Sequence, residues 1–500
     1  MATVAPLPVR PGRSLELGLL VLALVIGVGA YALVGLATAD ALPADIVGYS
    51  VGLVALSVGM HLVLRWRAPY ADPVILPCVV ALNGIGLAMI YRIDLAYEVR
   101  DKFAGFAERQ LAWTTISMVL AGIVIAILRD HRTLRRYTYT AMVAGLVLIV
   151  LPLMPVIGRT INGAKIWIHV GPASLQPAEI AKIVLAVFFA GYLVTTRDTL
   201  ALAGPRILGL QLPRIRDLGP ILLAWMVSLG VLVLQRDLGT SLLFFGLFVG
   251  MLYLATERIS WVVIGATLFV GGAAIVATVF PHVGARFDVW LTALDTDTFT
   301  RDPGGSGQLV RGLFGMASGG LFGTGLGQGR PDLVPYAESD FIVASLGEEL
   351  GLTGLLAILV LYLVLAQRGL RTAIGVRDGF GKLFAGGMAF VVAFQCFVVV
   401  GGVTRLIPLT GLTMPFLAYG GSSLLANWII AALLLRISDS ARRPAPVTTY
   451  DDDGAPAGDT LPTPASAAAG GPGGGSSGGS GGGSGTENDT EVIRVDGRRR

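Results

Sequence analysis

Residues 311–354 read RGLFGMASGGLFGTGLGQGRPDLVPYAESDFIVASLGEELGLTG. They end the longest non-hydrophobic segment between two apolar runs and are rich in glycine and acidic residues. The apolar run that follows starts at Phe341, so we expect Ser339 to cap a helix and Asp340 to lie in its first turn. An acid there lies where a membrane meets water, beside glycines that allow a ligand close approach. The other apolar segments are predicted to form a frame that presents this carboxylate.

The composition indicates a membrane protein. Of the 500 residues, 54% are hydrophobic and 14% are charged, and the mean hydropathy is +0.72. A soluble globular protein has about 25% charged residues, whereas this chain contains repeated apolar runs of roughly 20 residues, enough to cross a bilayer. The net charge of +4 is small and the arginines are scattered, which argues against nucleic-acid binding. The sequence therefore predicts an all-α, polytopic integral membrane protein.

Twelve apolar runs are predicted to span the membrane. They lie at 15–38, 46–64, 73–91, 110–128, 137–157, 177–195, 218–234, 238–255, 260–280, 341–366, 383–402 and 415–435. Lys and Arg are concentrated in alternate connections, which predicts cytoplasmic termini and a large extracytoplasmic loop at 281–340 before the tenth span. From residue 439 onward the composition turns to Pro, Gly and Ser, which is typical of a disordered cytoplasmic tail.

Ionisable residues inside the spans are the first candidates for function, because each costs roughly 2.5–3.5 kcal/mol at mid-membrane. Glu179 and Lys182 are three residues apart and so share one helical face. They form either a neutralised packing pair or a polar wall of a substrate cavity. Asp237, between two spans, is either a helix cap or part of that cavity.

Several further polar residues lie near the predicted ends of spans. Lys165 and Trp167 suit either an interface anchor or a substrate contact, and Ser422 and Ser423 suit either helix packing or an anionic headgroup. On a continuous helix Glu348 joins Asp340 on a cavity wall, whereas Glu349 faces away and is expected to pair with another helix. The loop 319–327 superficially resembles a phosphate-binding loop. It lacks the preceding strand of a βαβ unit, so we expect no nucleotide or organic cofactor.

In order along the chain, the sequence contains the motifs INGAKIW, SLQPAEIAK, QRDLGTS, SGGLFGTGLG, ESDFIVASLGEELGLTG and PFLAYGGSS. Together these six motifs resemble the SEDS family of shape, elongation, division and sporulation proteins. The resemblance extends from about Asp72 to Ser438 and is closer to the RodA branch than to the FtsW branch. It implies a ten-helix core at 72–438 with a cavity open to the outer leaflet, two extra helices within 1–71 and a tail at 439–500.

The resemblance also implies an activity. Members are peptidoglycan glycosyltransferases that polymerise lipid II at the outer face of the cytoplasmic membrane, for elongation and shape, with a class B penicillin-binding protein. It implies that Asp340 is catalytic and that Glu179 and Lys182 line the cavity. The leaving pyrophosphate needs positive charge, from Lys165, Lys182, Arg405 or a divalent cation such as Mg²⁺ or Mn²⁺.

This sequence departs from the family pattern at three places, where Arg236 replaces a proline, Ile166 an arginine and Val399 an asparagine. Two other functions remain open: a transporter (flippase) of the lipid-linked precursor, or a scaffold of the wall-synthesis complex.

Overall fold

The computed structural model describes residues 12–100, 105–155, 157–161, 163–171, 173–201, 206–207, 210–211, 226–227, 230, 234–301 and 304–444. Within these residues, 11 helical segments are long and apolar enough to cross a membrane. The predicted polytopic helical architecture is confirmed. The predicted span at 218–234 falls largely outside the described residues, as does the predicted tail after residue 444.

The helices are α1 (Arg13–Ala39), α2 (Ile46–Arg67), α3 (Ile75–Glu98), α4 (Phe106–Ile127), α5 (Thr138–Val150), α6 (Pro177–Ala201), α7 (Leu238–Thr256), α8 (Ile259–Val279), α9 (Pro281–Leu291), α10 (Thr296–Thr300), α11 (Gly307–Gly319), α12 (Ile342–Gly375), α13 (Gly379–Val403) and α14 (Gly421–Arg442). Short 3-10 turns lie at His131–Tyr137, Leu151–Leu153 and Pro331–Leu333. The last helix thus continues past the predicted core limit at Ser438, and the buried Asp439 accepts a hydrogen bond from the backbone N–H of Tyr70 at 2.9 Å.

The two N-terminal helices pack closely on the remainder of the bundle. Gly27 of α1 faces Gly84 of α3, where an added Cβ would lie only 3.0 Å from the Gly84 Cα. Tyr31 of α1 stacks on Tyr49 of α2 with ring centroids 4.0 Å apart. Small residues let helix backbones approach closely in a membrane. The glycine contact therefore joins α1 to α3, and the tyrosine stack joins α2 to α1.

The connection between α5 and α6 contains a small antiparallel sheet that the helical prediction did not include. Strands β1 (Gly158–Ile161), β2 (Ala164–Val170) and β3 (Ala173–Leu175) lie in the order β1-β2-β3. Two short strands, β4 (Arg206–Ile207) and β5 (Leu210–Gln211), also pair antiparallel. Outside the apolar spans these segments satisfy their backbone groups by strand pairing.

Helix α12 is broken at Gly351, which has a φ of 69° and a ψ of −173°. The break frees backbone groups that a helix would otherwise pair, and the glycine-rich loop 319–327 satisfies them. Thr324 N–H donates to the Glu348 carbonyl at 2.9 Å, and Leu352 N–H donates to the carbonyl of Gly320 at 3.0 Å. This glycine-rich loop therefore has a structural use, because its backbone groups pair with those freed at the break.

The described residues of the predicted extracytoplasmic loop at 281–340 include the α-helices α9, α10 and α11. Of these, α11 packs on α12, because Gly312 leaves room for the ring of Phe341: an added Cβ would lie 2.7 Å from the Phe341 Cδ1. Ser306 Oγ donates to the carbonyl oxygen of Ala293 at 2.6 Å and so ties α11 to the turn after α9. The loop is thus folded against the helices that it joins.

Candidate active site

Asp340 lies at the end of a turn that leads into α12. The N–H groups of Ser339 and Phe341 both donate to the carbonyl oxygen of Tyr336 at 3.1 Å. The helix begins at Ile342, and no side chain caps it. The predicted helix start is therefore wrong, since Ser339 is not the N-cap and Asp340 precedes the first turn. The turn carries Phe341 into the core, where its side chain is fully buried, before the helix starts.

Arg286, on α9, is a cation that the sequence analysis missed. Its Nη1 donates to the carbonyl oxygen of Leu409 at 2.8 Å, and its charge acts on both Asp340 and Asp237. Two residues beyond Leu409, an added Cβ at Gly411 would lie 3.6 Å from the Asp340 Oδ2. The same short segment therefore contacts the arginine and the aspartate.

Burial decides the charge state of this group. Burial raises the pKa of Asp340 from 3.8 to about 6, Arg286 acts to lower that pKa, and the charges of Glu338 and Asp237 raise it further. Burial also lowers the pKa of Arg286. An acid in the first turn of a helix would be held ionised by the helix macrodipole, but Asp340 precedes the helix and desolvation is the larger effect on its pKa. A pKa near neutrality suits a general base, which must accept a proton and still be largely ionised at pH 7.

Asp237 performs the capping role predicted as one of its alternatives. Its Oδ1 accepts from the N–H of Thr240 at 2.9 Å at the start of α7. Its Oδ2 accepts from Nε2 of Gln176 at 3.2 Å, and the Gln176 N–H donates to Oγ of Ser422 at 2.9 Å. Gln176, which the sequence analysis did not single out, thus connects two of the predicted site residues. On balance the pKa of Asp237 is raised, because the effect of burial is larger than the opposing effect of the hydrogen bonds from Thr240.

Glu179 and Lys182 form the buried pair that their spacing predicts. Lys182 Nζ lies 2.6 Å from Oε2 of Glu179 and donates to Oε1 of Gln395 at 3.0 Å. Gln395 Nε2 then donates to the carbonyl of Thr413 at 2.9 Å. Since residue 413 follows closely on Gly411, this chain of hydrogen bonds joins the pair to the segment beside Asp340.

Lys165 and Trp167 lie on β2, in the small sheet. Lys165 Nζ donates to the carbonyl oxygen of Leu153 at 3.0 Å, and Trp167 pairs with Arg159 across the strands. Both side chains are half-buried. The ammonium group is thus bound by the protein's own backbone.

Two other predicted site residues are also used by the fold. Arg405 donates from Nε to the carbonyl of Trp290 and from Nη2 to that of Leu291, both at 2.7 Å. Ser423 accepts from Nδ2 of Asn427 on its own helix at 3.2 Å, which matches the packing alternative.

The two glutamates before the break in α12 have different partners. Glu349 accepts from Nε of Arg92 at 2.8 Å, which confirms the predicted pairing with another helix. Glu348 accepts from the N–H of Arg330 at 2.9 Å and lines a cavity of about 1210 Å³. Asp340 is not among the residues that line this cavity. The predicted shared wall is therefore not found in this cavity, because Asp340 lies in the turn before α12 and does not follow the helical direction of Glu348.

Comparisons with known proteins agree with this architecture. Residues 73–443 match the family of cell cycle proteins that comprises FtsW, RodA and SpoVE. The chain is 50% identical over 447 residues to the peptidoglycan glycosyltransferase RodA of Mycobacterium tuberculosis, covering 89% of this chain and 94% of that one.

Two solved structures share the fold. The Thermus thermophilus rod shape determining protein RodA is 25% identical with a TM-score of 0.52, over 76% of this chain and 100% of that one. A chain of a peptidoglycan synthase complex that coordinates polymerization and crosslinking is 25% identical with a TM-score of 0.50, over 79% of this chain and 98% of that one. The chain therefore belongs to the FtsW, RodA and SpoVE family of cell cycle proteins.

Proposed function

We propose that this chain is a peptidoglycan glycosyltransferase that polymerises lipid II into glycan strands for elongation and shape, with Asp340 as its general base. The observation that carries the proposal is a carboxylate and a cation outside the spans that both lie against the 409–411 segment. The pKa of Asp340 is raised to about 6 by burial, and the charge of Arg286 acts on it. Glycosyl transfer to a sugar hydroxyl needs a base of this strength and a positive charge for the leaving group.

The reaction step follows from that arrangement. The 4-hydroxyl of the acceptor sugar gives its proton to a carboxylate oxygen of Asp340, and its oxygen attacks the anomeric carbon of the donor. The bond from that carbon to the pyrophosphate oxygen breaks, and undecaprenyl pyrophosphate leaves with the electron pair. One displacement inverts the anomeric centre, so a single carboxylate on the acceptor side is sufficient.

Arg286 is the best-placed residue to stabilise the departing pyrophosphate. Lys165 and Arg405, which the sequence analysis considered for this task, donate to backbone carbonyls as Arg286 does, but of these three cations Arg286 is the one whose charge acts on Asp340. Lys182 is held by Glu179 and Gln395. A guanidinium matches two phosphate oxygens at once, whereas an ammonium acts as a point charge.

A divalent cation such as Mg²⁺ or Mn²⁺ fits this site poorly as a preformed centre. Within the residues that the structure describes, no group of three His, Cys, Asp or Glu side chains lies close enough to hold a metal ion. Mg²⁺ usually takes one or two carboxylates and completes its shell with water and substrate phosphates. Any such ion would therefore be held mainly by the pyrophosphate of the substrate.

The proposed topology places both termini in the cytoplasm and Asp340 on the opposite side of the cytoplasmic membrane. The distribution of Lys and Arg among the connections supports this orientation. We also propose a class B penicillin-binding protein as partner, because a related chain functions in a peptidoglycan synthase complex that coordinates polymerization and crosslinking.

A polymerisation assay tests the proposal. Purified protein, with and without the transpeptidase and with and without EDTA, is mixed with lipid II, and strands are resolved on a gel. We expect strands from the wild type and none from Asp340→Asn. Strands from Asp340→Asn at the wild-type rate contradict the base assignment, and lipid II that moves between leaflets without forming strands supports the transporter instead. If the chain acts as a scaffold through its tail, deletion of residues 445–500 alters localisation and growth.

A further inference from the structure

The cavity of about 1210 Å³ has no role in the reaction described above. It lies between the end of α3, the start of α4, helix α11 and the 330–336 segment, and it exceeds the 300–1,000 Å³ of usual small-ligand pockets. Its size suits a ligand larger than a single sugar ring.

The charged groups that line the cavity are arranged so that the positive ones face outward. The side chain of Asp332 is only 6% exposed and pairs with both Arg100 and Arg330, whose own side chains are 39% and 63% exposed. Arg311 on α11 is exposed, and it has no hydrogen bond or ion pair to any residue that the structure describes. An incoming ligand therefore meets guanidinium groups rather than carboxylates.

One acid nevertheless offers the ligand an acceptor. Glu348 is buried; its Oε1 accepts from the backbone of Arg330, whereas its Oε2 is buried and has no partner in the described chain. An unpartnered buried carboxylate oxygen costs free energy unless a donor reaches it. Hydroxyl and acetamido N–H groups are donors of the right kind.

Aromatic rings complete the lining. Phe314 and Tyr336 are exposed at the cavity, and Tyr97 directs its hydroxyl to Oε2 of Glu338 at 3.3 Å. Such rings offer flat apolar surfaces for the C–H faces of pyranose sugars. Arginine, aromatic rings and one hydrogen-bond acceptor together suit a saccharide that also carries carboxylates.

We propose that this cavity binds the nascent glycan strand, with Arg311 on a carboxylate of a stem peptide and Glu348 on a sugar hydroxyl or N-acetyl group. This inference rests on the proposed function. Glu338 lines the cavity and lies two residues before Asp340 in the same turn. A strand held there would keep its end beside the general base between successive additions.

A binding experiment tests the inference without requiring catalysis. The probes are a lipid-free tetrasaccharide of alternating N-acetylglucosamine and N-acetylmuramic acid with stem peptides, and inorganic pyrophosphate. We expect Arg311→Ala to weaken tetrasaccharide binding by about tenfold or more, since the variant loses a hydrogen bond between two charged groups. Arg311→Lys keeps the charge and should retain part of the affinity. Arg301→Ala, an exposed arginine of the same loop outside the cavity, is the matched control and should bind normally.

The outcomes separate this inference from the proposed function. If the wild type and Arg311→Ala bind the tetrasaccharide equally well, the inference is overturned. It is also overturned if Arg311→Ala loses binding of pyrophosphate but not of the tetrasaccharide. Asp340→Asn should bind the tetrasaccharide normally while forming no strands. If Asp340→Asn still forms strands, the base assignment fails whatever the binding result. In polymerisation, Arg311→Ala should yield shorter strands than Arg301→Ala.

Discussion

The ammonium nitrogen of Lys182 lies 2.6 Å from Oε2 of Glu179 and 3.0 Å from Oε1 of Gln395, with all three side chains in the helical bundle. Lys182 and Glu179 are both buried. Both members of the pair lie on α6, and the bond from Lys182 to Gln395 joins that helix to α13. Gln395 in turn donates to the carbonyl oxygen of Thr413, in the segment beside Asp340. Neither charge can be removed alone without leaving the other in a poorly solvated place.

A single substitution in this pair should destabilise the protein more than a double one. Lys182→Met alone is expected to cost about 3–5 kcal/mol, because Glu179 is left unpaired, and Glu179→Gln with Lys182→Met should recover most of that loss. Thermal unfolding in detergent measures both. A double variant that is stable but inactive identifies the pair as part of the substrate cavity; a double variant no more stable than the single one contradicts the pairing argument.

The rate of polymerisation should depend on pH through Asp340. The base must be ionised to accept a proton, and its pKa is raised to about 6. The initial rate is therefore expected to be level above this pH and to fall about tenfold per pH unit below it. Rates measured from about pH 5 to 8 test this, and a profile that stays flat across pH 6 argues against the assignment.

Replacing the base should also stabilise the fold at neutral pH. The pKa of Asp340 is about 6 in the folded protein and 3.8 in the unfolded chain, so folding favours the protonated carboxyl group. The stability that this protonated group contributes is fully present below pH 3.8 and is lost as the pH rises through 6. Asp340→Asn should gain on the order of 2 kcal/mol at pH 7.5 and much less at low pH. The exposed Asp297→Asn serves as control and should change stability by less than about 0.5 kcal/mol. An unchanged or lower Tm for Asp340→Asn at pH 7.5 contradicts the argument.

The charge of Arg286 should determine the pH at which the rate of polymerisation begins to fall. Its charge lowers the pKa of Asp340, so Arg286→Ala is expected to move the acidic limb of the rate profile to higher pH and to slow the reaction at neutral pH. Arg286→Lys keeps the positive charge and should leave the limb near pH 6. The two variants are compared by initial rates across the same pH range. Identical midpoints for Arg286→Ala and the wild type show that this charge does not act on the base.

A side chain at Gly351, where α12 is broken, should destabilise the protein. Gly351 has a φ of 69°, and an added Cβ would lie 2.2 Å from the backbone nitrogen of Gly323. We expect Gly351→Ala to destabilise the protein by more than about 2 kcal/mol, through both strain and collision. Gly29→Ala in α1, where an added Cβ meets nothing within 4 Å, should be neutral or slightly stabilising. Equal melting temperatures for the two variants contradict the role given to this break.

Local patterns predicted much of the fold. The length of each apolar run is enough to identify a span, because a helix must satisfy its own backbone groups in lipid. The three-residue spacing of Glu179 and Lys182 likewise predicted their contact, since helical neighbours are determined by the chain itself. The capping of α7 by Asp237 is equally local.

Contacts between distant segments decided the rest. Arg286 is separated from Leu409 by 123 residues, and Gln176 from Ser422 by 246, so no spacing rule indicates either contact. Lys165 looked available for an anion only because the Leu153 carbonyl that binds it cannot be recognised in the sequence.

By itself, the sequence predicted the 11 long apolar helices that the described residues contain and placed Asp340 next to one of them. The tertiary structure decided which cation acts on that aspartate, where α12 breaks and how far burial raises the aspartate's pKa. The physical reason is that helix formation depends on neighbours within a few residues, whereas desolvation and charge pairing depend on every segment packed around a group.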